Sequence, residues 1–512
     1  MQQSPAQPKV DPLAKALSFK ARSLWQVSLP KRALLLGDLL AIGLAFGLAT
    51  LLNIGFEGQS LSLALKWFST QNPARYWAWC ALCLMALFIF LFRYQHYINR
   101  RPFWDELSDV LWTVSAMALL DMSLVAITRW NASRLWWAFA WVALALMIML
   151  MRRSMRVLLT HWGLWERPTI LIGRGQNAHD AVEALLSEPH LGYQIIGFVD
   201  VESGHASINP SHLDAAPFVM PTPGGFKLAQ IDPLELKTLA KQPGIQWVLA
   251  LDHGQASERE HWLRQLSQWG AQEICVIPDM RGIPLYGTHM SYFFSHEVTI
   301  LRIRNNLKRW PTRLTKRLFD TVVTVFLLLL LFPVFAFLYF YIKRDGGSAF
   351  FKQPRIGRQG QVFECLKFRT MVLDAEDRLA SLLNQHPELK AEWDRDHKIK
   401  NDPRITAIGA FLRRTSLDEI PQLINVLKGE MSLVGPRPIV KAELEKYGDD
   451  VEYFLMVRPG MTGLWQVSGR SDMSYDKRVY LDTWYVKNWS LWYDLVILFK
   501  TVNVVIQRSG AY

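Results

Sequence analysis

Five apolar stretches, at roughly 33–53, 76–92, 107–128, 135–151 and 318–342, constrain this chain more than anything else in it. A helix of about 20 residues crosses the ~30 Å hydrocarbon core of a bilayer. In lipid only a helix or a closed barrel satisfies every backbone N–H and C=O. With 512 residues, half of them hydrophobic, a multidomain membrane protein is expected. The first four stretches predict a four-helix transmembrane bundle over 31–156, behind a polar tail at 1–30 with no cleavable signal. Basic residues gather at Lys20, Arg22, Lys31 and Arg32, at Arg93, Arg100 and Arg101, and at Arg152, Arg153 and Arg156. The other two loops hold only Lys66 and Arg75, then Arg129 and Arg134. The positive-inside rule therefore predicts that both ends of the bundle, and the tail, are cytoplasmic. The excess of Lys+Arg (57) over Asp+Glu (45) then suits the anionic inner leaflet rather than nucleic acid. Cys80 and Cys83 lie inside an apolar run with no second Cys/His pair, so they read as lipid- or helix-facing. Asp38 and Asp121 fall within spans, where an acid either marks a site or faces a neighbouring helix.

The fifth stretch differs in its flanks. Arg302, Arg304, Lys308, Arg309, Arg313, Lys316 and Arg317 precede it, and Lys343, Arg344, Lys352, Arg355 and Arg358 follow. Pro333 divides it into Thr321–Phe332 and Val334–Ile342, about 18 and 14 Å long at ~1.5 Å per residue. Each is close to half the hydrocarbon thickness. A re-entrant helix over 318–342, broken at Pro333 and returning to the same face, satisfies both observations.

Residues 165–300 read as a soluble α/β unit. Thr169-Ile-Leu-Ile-Gly173 is a buried-strand pattern, and Gly173-Arg-Gly175-Gln-Asn-Ala178 opens an amphipathic helix. A second strand runs to Asp200, and further apolar runs follow at 247–251 and 273–278. This is a Rossmann-like opening, with Asp200 where a ribose-binding acid would sit. A glycine turn is equally how a strand passes tightly into a helix. Near the carboxy terminus, 483–508 carries Trp484, Tyr485, Trp489, Trp492 and Tyr493 before an amphipathic run, which fits a membrane-surface helix or a helix packed on the domain core.

The chemistry concentrates in 413–438. Asp418 and Glu419 are adjacent, with Arg413 and Arg414 before them and Arg437 after. Ser416 and Glu419 match a capping box, which would place the acids at a helix start. That reading leaves Asp418 and the arginines without a role. Phosphoryl transfer with a divalent metal needs oxygens for the metal, cations for phosphate, and a carboxylate able to attack phosphorus. Further cations recur in short turns and loops: Lys367 and Arg369 on alternate positions, Arg404 after Asp402-Pro403, Arg437 between two prolines, and Arg458 and Arg470 bounding a glycine-rich loop.

The segments Lys316-Arg-Leu-Phe-Asp320, Lys367-Phe-Arg369-Thr-Met, Ser416-Leu-Asp418-Glu419-Ile-Pro-Gln-Leu, Gly-Pro-Arg437-Pro and Trp465-Gln-Val-Ser-Gly-Arg470 resemble the bacterial polyprenyl-phosphate phosphoglycosyl transferases of the monotopic superfamily. The match is dense over 301–512. It implies an α-rich catalytic domain there with a re-entrant membrane helix. The spans and α/β unit are similar to those of the large members. Arg101-Pro-Phe-Trp-Asp-Glu106, Met290-Ser-Tyr-Phe-Phe-Ser-His-Glu297 and the Arg508–Tyr512 end are similar to members that handle galactose. The resemblance implies transfer of sugar-1-phosphate from a UDP-sugar to undecaprenyl phosphate, with release of UMP and with Mg2+. Asp418 would attack to give a phosphosugar–aspartate intermediate, and Glu419 would assist with metal or proton. Arg437 would grip phosphate, while Lys316, Arg317 and Asp320 lie where a lipid phosphate meets the membrane. Also implied are residence in the bacterial inner membrane with both soluble domains cytoplasmic, a homodimer, downstream glycosyltransferases as partners, and a non-catalytic α/β domain.

Two other classes stay open on the residues alone. A membrane-tethered NAD-dependent sugar-nucleotide dehydratase or epimerase needs a Tyr-x-x-x-Lys pair. The sole instance, Tyr339 to Lys343, lies in the fifth apolar stretch. A non-enzymatic scaffold would use the acids merely as a cap. Glucose in place of galactose stays open as well.

Overall fold

The computed structural model describes residues 24–57, 73–130, 133–201, 220–221, 227–228, 233–283, 289–292, 299–302, 310–385, 390, 402–469 and 473–507. The chain divides into two units, Met1–Arg281 and Gly282–Tyr512.

In the first unit four helices, α1 (Leu24–Glu57), α2 (Pro73–Phe92), α3 (Phe103–Thr128) and α4 (Arg134–His161), are each long and apolar enough to cross a membrane. Their shared core holds Trp79, Phe90, Leu144 and Ile148. Phe46, Trp79 and Trp136 pack ring on ring there. Both acids inside the apolar stretches face neighbouring helices. Asp38 accepts from Arg152 Nη2 at 2.6 Å and from the Tyr97 hydroxyl at 2.6 Å. Asp121 takes both Arg75 Nη atoms at 2.8 Å and Trp141 Nε1 at 2.9 Å. The first pair joins α1 to α4 and the second joins α2 to α3. An unpaired charge at that depth would cost about 3 kcal/mol, so the pairs fix which helices meet. Arg152 also lies 2.9 Å from His96 Nδ1. A guanidinium only donates, so His96 is neutral with its proton on Nε2, directed at Asp109 Oδ2 3.0 Å away. Cys83 is buried and Cys80 partly so, both as free thiols.

Beyond α4 lies a four-stranded sheet of β1 (Arg167–Ile172), β2 (Tyr193–Val199), β3 (Gln246–Leu249) and β4 (Glu273–Val276), in the order β2-β1-β3-β4. All its pairings are parallel. Successive residues bury into opposite layers: Ile170, Ile172, Trp247 and Leu249 in one, Leu171, Phe198, Val248 and Ala250 in the other. The glycine turn leads into α5 (Gln176–Ser187). Here the dinucleotide expectation meets an obstacle. Asp252 accepts the Asn177 backbone N–H at 2.9 Å, and its carboxylate lies where a Cβ on Gly175 would point. The protein's own anion thus fills the position a pyrophosphate takes at such a helix N-terminus. Asp200, expected at a ribose, pairs with Arg174 at 2.8 Å. The turn packs strand against helix and is already satisfied electrostatically.

The second unit opens with a hairpin, β5 (His289–Tyr292) and β6 (Thr299–Arg302), followed by α8 (Trp310–Lys343), the fifth helix apolar enough to span; α6 (Pro233–Ala240) and α7 (Ala256–Trp269) belong to the first unit. Contrary to the expected break, α8 is one hydrogen-bonded helix of 34 residues with Pro333 inside it. Proline removes a single N–H, and the neighbouring turns hold the helix together. Both ends of α8 are anchored in this unit. Lys316 and Asp320 are buried near one end, Leu338 and Ile342 near the other, while Phe326, Leu329, Leu330, Phe332 and Phe337 between them are exposed. Around the helix ends come the antiparallel pair β7 (Phe350–Ile356) and β8 (Val362–Phe368), then α9 (Ala375–Gln385), α10 (Ala407–Thr415) and α11 (Gln422–Lys428). The short parallel pair β9 (Ser432–Val434) and β10 (Gly460–Thr462) brackets α12 (Val451–Met456), and α13 (Leu464–Ser468), α14 (Tyr475–Lys487) and α15 (Leu491–Gln507) close the unit. The aromatic end packs on the domain core, the second of the two expected roles. Tyr485, Trp489 and Ile497 are in the core, whereas Phe499 and Val502 are exposed.

Candidate active site

The acid pair sits in a single 3-10 turn, Leu417–Glu419, between α10 and α11. The expected capping box does not form. Ser416 adopts a left-handed conformation (φ 55°) that ends α10, and its side chain makes no cap hydrogen bond. Glu419 turns instead to Lys367 on β8, at 2.7 Å. The ammonium brings a full positive charge as well as a hydrogen bond to the carboxylate, where a backbone N–H brings only a partial charge.

Close backbone packing brings the remaining groups to this turn. A Cβ on Gly409 would fall 2.0 Å from the Thr370 carbonyl oxygen, so only glycine lets α10 rest on the strand's exit. One turn later, Arg413 Nε donates to Thr370 Oγ1 at 2.9 Å. Asp418 feels the charges of Lys367, Glu419 and Arg413 yet forms no ion pair among the described residues. Burial raises its carboxyl above the usual range and Glu419 pushes the same way, against the two cations. Arg413 in turn feels Asp418 and Asp402. Arg404 grips Asp402 with Nη2 at 2.6 Å and lies in this same cluster. Arg437 is exposed, with its guanidinium 5.8 Å from the Trp465 ring. Its charge and that of Arg355 reach Cys365, which also feels Lys367 and Glu419. The result is a half-buried, unpaired carboxylate flanked by a tethered one, with cations on both sides. That suits a nucleophile facing a phosphate ester.

Two adjacent carboxylates also fit Mg2+, which binds oxygen and commonly takes only one or two protein carboxylates beside substrate phosphates. Among the described residues no group of three or more His, Cys, Asp or Glu gathers as a closed metal cage.

Residues 311–508 match the family model for bacterial sugar transferases. Over 480 residues the chain is 43% identical to a UDP-galactose-lipid carrier transferase from Erwinia amylovora, covering 94% of this chain and 97% of that one. This chain belongs to the bacterial sugar transferase family. It is also 46% identical over 423 residues to an undecaprenyl-phosphate galactose phosphotransferase of Salmonella typhimurium, covering 83% of this chain and 86% of the relative. To the UDP-glucose:undecaprenyl-phosphate glucose-1-phosphate transferase of Escherichia coli it is 29% identical over 416 residues, covering 78% and 81%.

Several cations expected at phosphate lie elsewhere within this family domain. Lys316 donates to Asp320 Oδ1 (3.2 Å), Val434 O (3.1 Å) and Asp494 Oδ2 (2.7 Å), which uses all three of its protons. Asp320 accepts from the Ser432 hydroxyl as well, at 2.8 Å. Both are buried ties between α8, β9 and α15. Arg317 caps α11 through the carbonyls of Val426 (2.5 Å) and Leu427 (2.7 Å), and Arg458 Nε donates to Gly429 O at 2.6 Å. Arg369 is held by Ile342 O and by Asp345, at the end of α8. Arg414 is exposed, and Arg470 lies outside the described residues. Sequence reasoning missed Asp494 and Ser432 as partners of the Lys316–Asp320 pair, and Tyr485, whose hydroxyl donates to Asp494 at 2.7 Å. The i, i+4 spacing of Lys316 and Asp320 was the available signal that these two satisfy each other.

Asp482, on α14, was also missed. Burial pushes its carboxyl up to about 7, although the Tyr447 hydroxyl donates to it at 2.8 Å. A folded pKa above the unfolded one means the native state holds the proton more tightly. Asp482 therefore costs nothing below about pH 4 and progressively more as pH rises toward 7. Thermal melts should show Asp482→Asn raising Tm above neutral pH and leaving it unchanged in acid. An equal gain at both extremes would contradict this.

Proposed function

We propose that this chain moves galactose-1-phosphate from UDP-galactose to undecaprenyl phosphate, releasing UMP and leaving undecaprenyl-diphosphate galactose. Asp418 carries the reading: a half-buried carboxylate, more basic than usual, that lies among cations without being neutralised by any one of them. The sugar assignment is supported by the names of the two relatives that share 46% and 43% of their aligned residues with this chain.

An Asp418 oxygen attacks the phosphorus attached to the sugar, and the bond from that phosphorus to the bridging oxygen breaks, with the electron pair leaving on UMP. The phosphate oxygen of undecaprenyl phosphate then attacks the aspartyl phosphate and returns Asp418 as a carboxylate. Lys367, held by Glu419, and Arg413, held by Thr370, balance the charge that builds on the equatorial oxygens. Arg437, exposed beside Trp465, meets the diphosphate at the mouth of the site. Mg2+ at Asp418 and Glu419 would neutralise diphosphate charge when bound.

In the same reading α1–α4 form a transmembrane bundle in the bacterial inner membrane, and α8 enters and leaves by one face. The packing of both α8 ends on one unit supports re-entry. A straight rod would hold Lys316 and Ile342 about 39 Å apart, so this reading requires α8 to bend without breaking at Pro333, where one backbone hydrogen bond is missing. The α/β and transferase domains would then be cytoplasmic. A homodimer feeding later glycosyltransferases completes the reading.

Membranes given radiolabelled UDP-galactose, undecaprenyl phosphate and Mg2+ should yield lipid-linked galactose and UMP. A faster reaction with UDP-glucose would overturn the sugar assignment. Arg414 is exposed beside the acid pair. Arg414→Cys should react with an impermeant maleimide only in inside-out vesicles; labelling in intact cells would sink the topology.

A further inference from the structure

A second group of cations in the transferase unit forms no ion pair among the described residues. Arg317 and Arg458 converge on the C-terminal carbonyls of α11, and a Cβ on Gly429 would sit 3.3 Å from Arg317 Nη2. Gly429 has φ +85°, so glycine there allows both the left-handed turn and the close approach. Arg313 lies one helical turn before Arg317 on α8, on the same face. Arg358 belongs to the 3-10 turn Arg358–Gly360, which packs on α12 just ahead of Arg458, and its Nε is buried with no partner among the described residues. Arg458 feels Arg317, Arg358 and Arg313, and, on the other side of the balance, Asp320. Lys316 and Ser432 already hold that acid.

The carbonyls at a helix end supply only about half a negative charge. Four guanidiniums gathered there repel one another unless an anion joins them. Their fixed, planar forks match phosphate oxygens. After the carbonyl bonds, Arg317 and Arg458 still carry free N–H donors. The setting names the source of the anion. Trp310, Leu314 and Leu318 on α8 are exposed beside Arg313 and Arg317, and Val322, Phe326 and Leu329 continue the apolar face. Tryptophan and arginine leading into exposed apolar turns is the composition of a membrane boundary.

We propose that Arg313, Arg317, Arg358 and Arg458 bind the phosphate of an anionic phospholipid headgroup, at a site separate from Asp418. This rests on the membrane placement of α8 given above, which the Arg414→Cys labelling reports by itself, so the two can fail separately. The test uses the full-length protein in nanodiscs of phosphatidylcholine containing a minority of phosphatidylglycerol, with native mass spectrometry of the retained lipid. Wild type should retain phosphatidylglycerol preferentially. Arg313→Gln and Arg358→Gln, which leave the α11 caps intact, should each lower that preference about fivefold, and together about 25-fold. Unchanged enrichment in a double variant that melts like wild type overturns the site. Loss of the enrichment when inorganic phosphate is added at constant ionic strength overturns the lipid assignment in favour of a soluble phosphate ligand.

Discussion

Asp418→Asn is expected to abolish transfer, lowering lipid-linked product by at least about 10³-fold, as removal of an enzyme's nucleophile does. The amide keeps the shape but cannot form the acyl phosphate. Single-turnover assays without acceptor should trap labelled sugar phosphate on the wild-type protein and none on the variant. The same change should raise thermal stability. Burial and Glu419 hold the Asp418 carboxyl above its ordinary range, so the native state binds its proton more tightly than the unfolded chain does. Stability from this group is present in acid and is lost as pH rises through the folded pKa. Asparagine removes that loss, so the gain should appear at neutral pH and vanish in acid. For the same reason wild-type activity should fall with acid at a higher pH than an ordinary aspartate would dictate. A variant that loses activity and stability together would point to a structural role for Asp418. Glu419→Gln has a different signature, because Glu419 holds Lys367 in place.

Lys316→Met should be the most destabilising single change in the transferase unit. It leaves Asp320 and Asp494, both fully buried, facing each other across the space Lys316 filled. Removing one member of a buried ion pair costs about 3–5 kcal/mol, or a fall in Tm of roughly 10 °C for a unit of this size. Burial already raises the Asp494 carboxyl and Lys316 opposes that rise. Without the lysine its pKa climbs further, and the variant should recover stability as pH falls and Asp494 takes up a proton. Adding Asp494→Asn should recover part of the loss at neutral pH. If Lys316→Met melts like wild type but binds lipid phosphate poorly, the lysine is a ligand rather than a tie.

How much was legible beforehand divides along the range of the forces involved. The five apolar helices follow from the cost of exposing backbone to lipid, which is paid residue by residue along a continuous run. The parallel sheet was readable from short buried-strand runs separated by helical ones. Asp418, Glu419, Lys367 and Arg413 could be nominated from residue type and turn chemistry, and the fold gathers them. The charges of Lys316, Arg317, Asp320 and Arg369 were equally visible, but beyond the i, i+4 pair of Lys316 and Asp320 their partners were not. Lys316 meets Asp494 across 178 positions, and Arg317 meets Val426 across 109.

The amino-acid order by itself determined which segments are apolar enough for a membrane, where strands alternate with helices, and which turn holds two neighbouring acids. Only the tertiary structure decided which charges are consumed in holding the fold and which stay free. It turned Ser416 away from a cap and filled the Gly175 turn with Asp252. It buried Lys316 between two aspartates and left Asp418 without an ion pair among the described residues. Hydropathy and helix periodicity act over neighbouring residues and are written in the order itself. Ion pairing depends on which distant groups meet where water is excluded, and that exists only once the chain has folded.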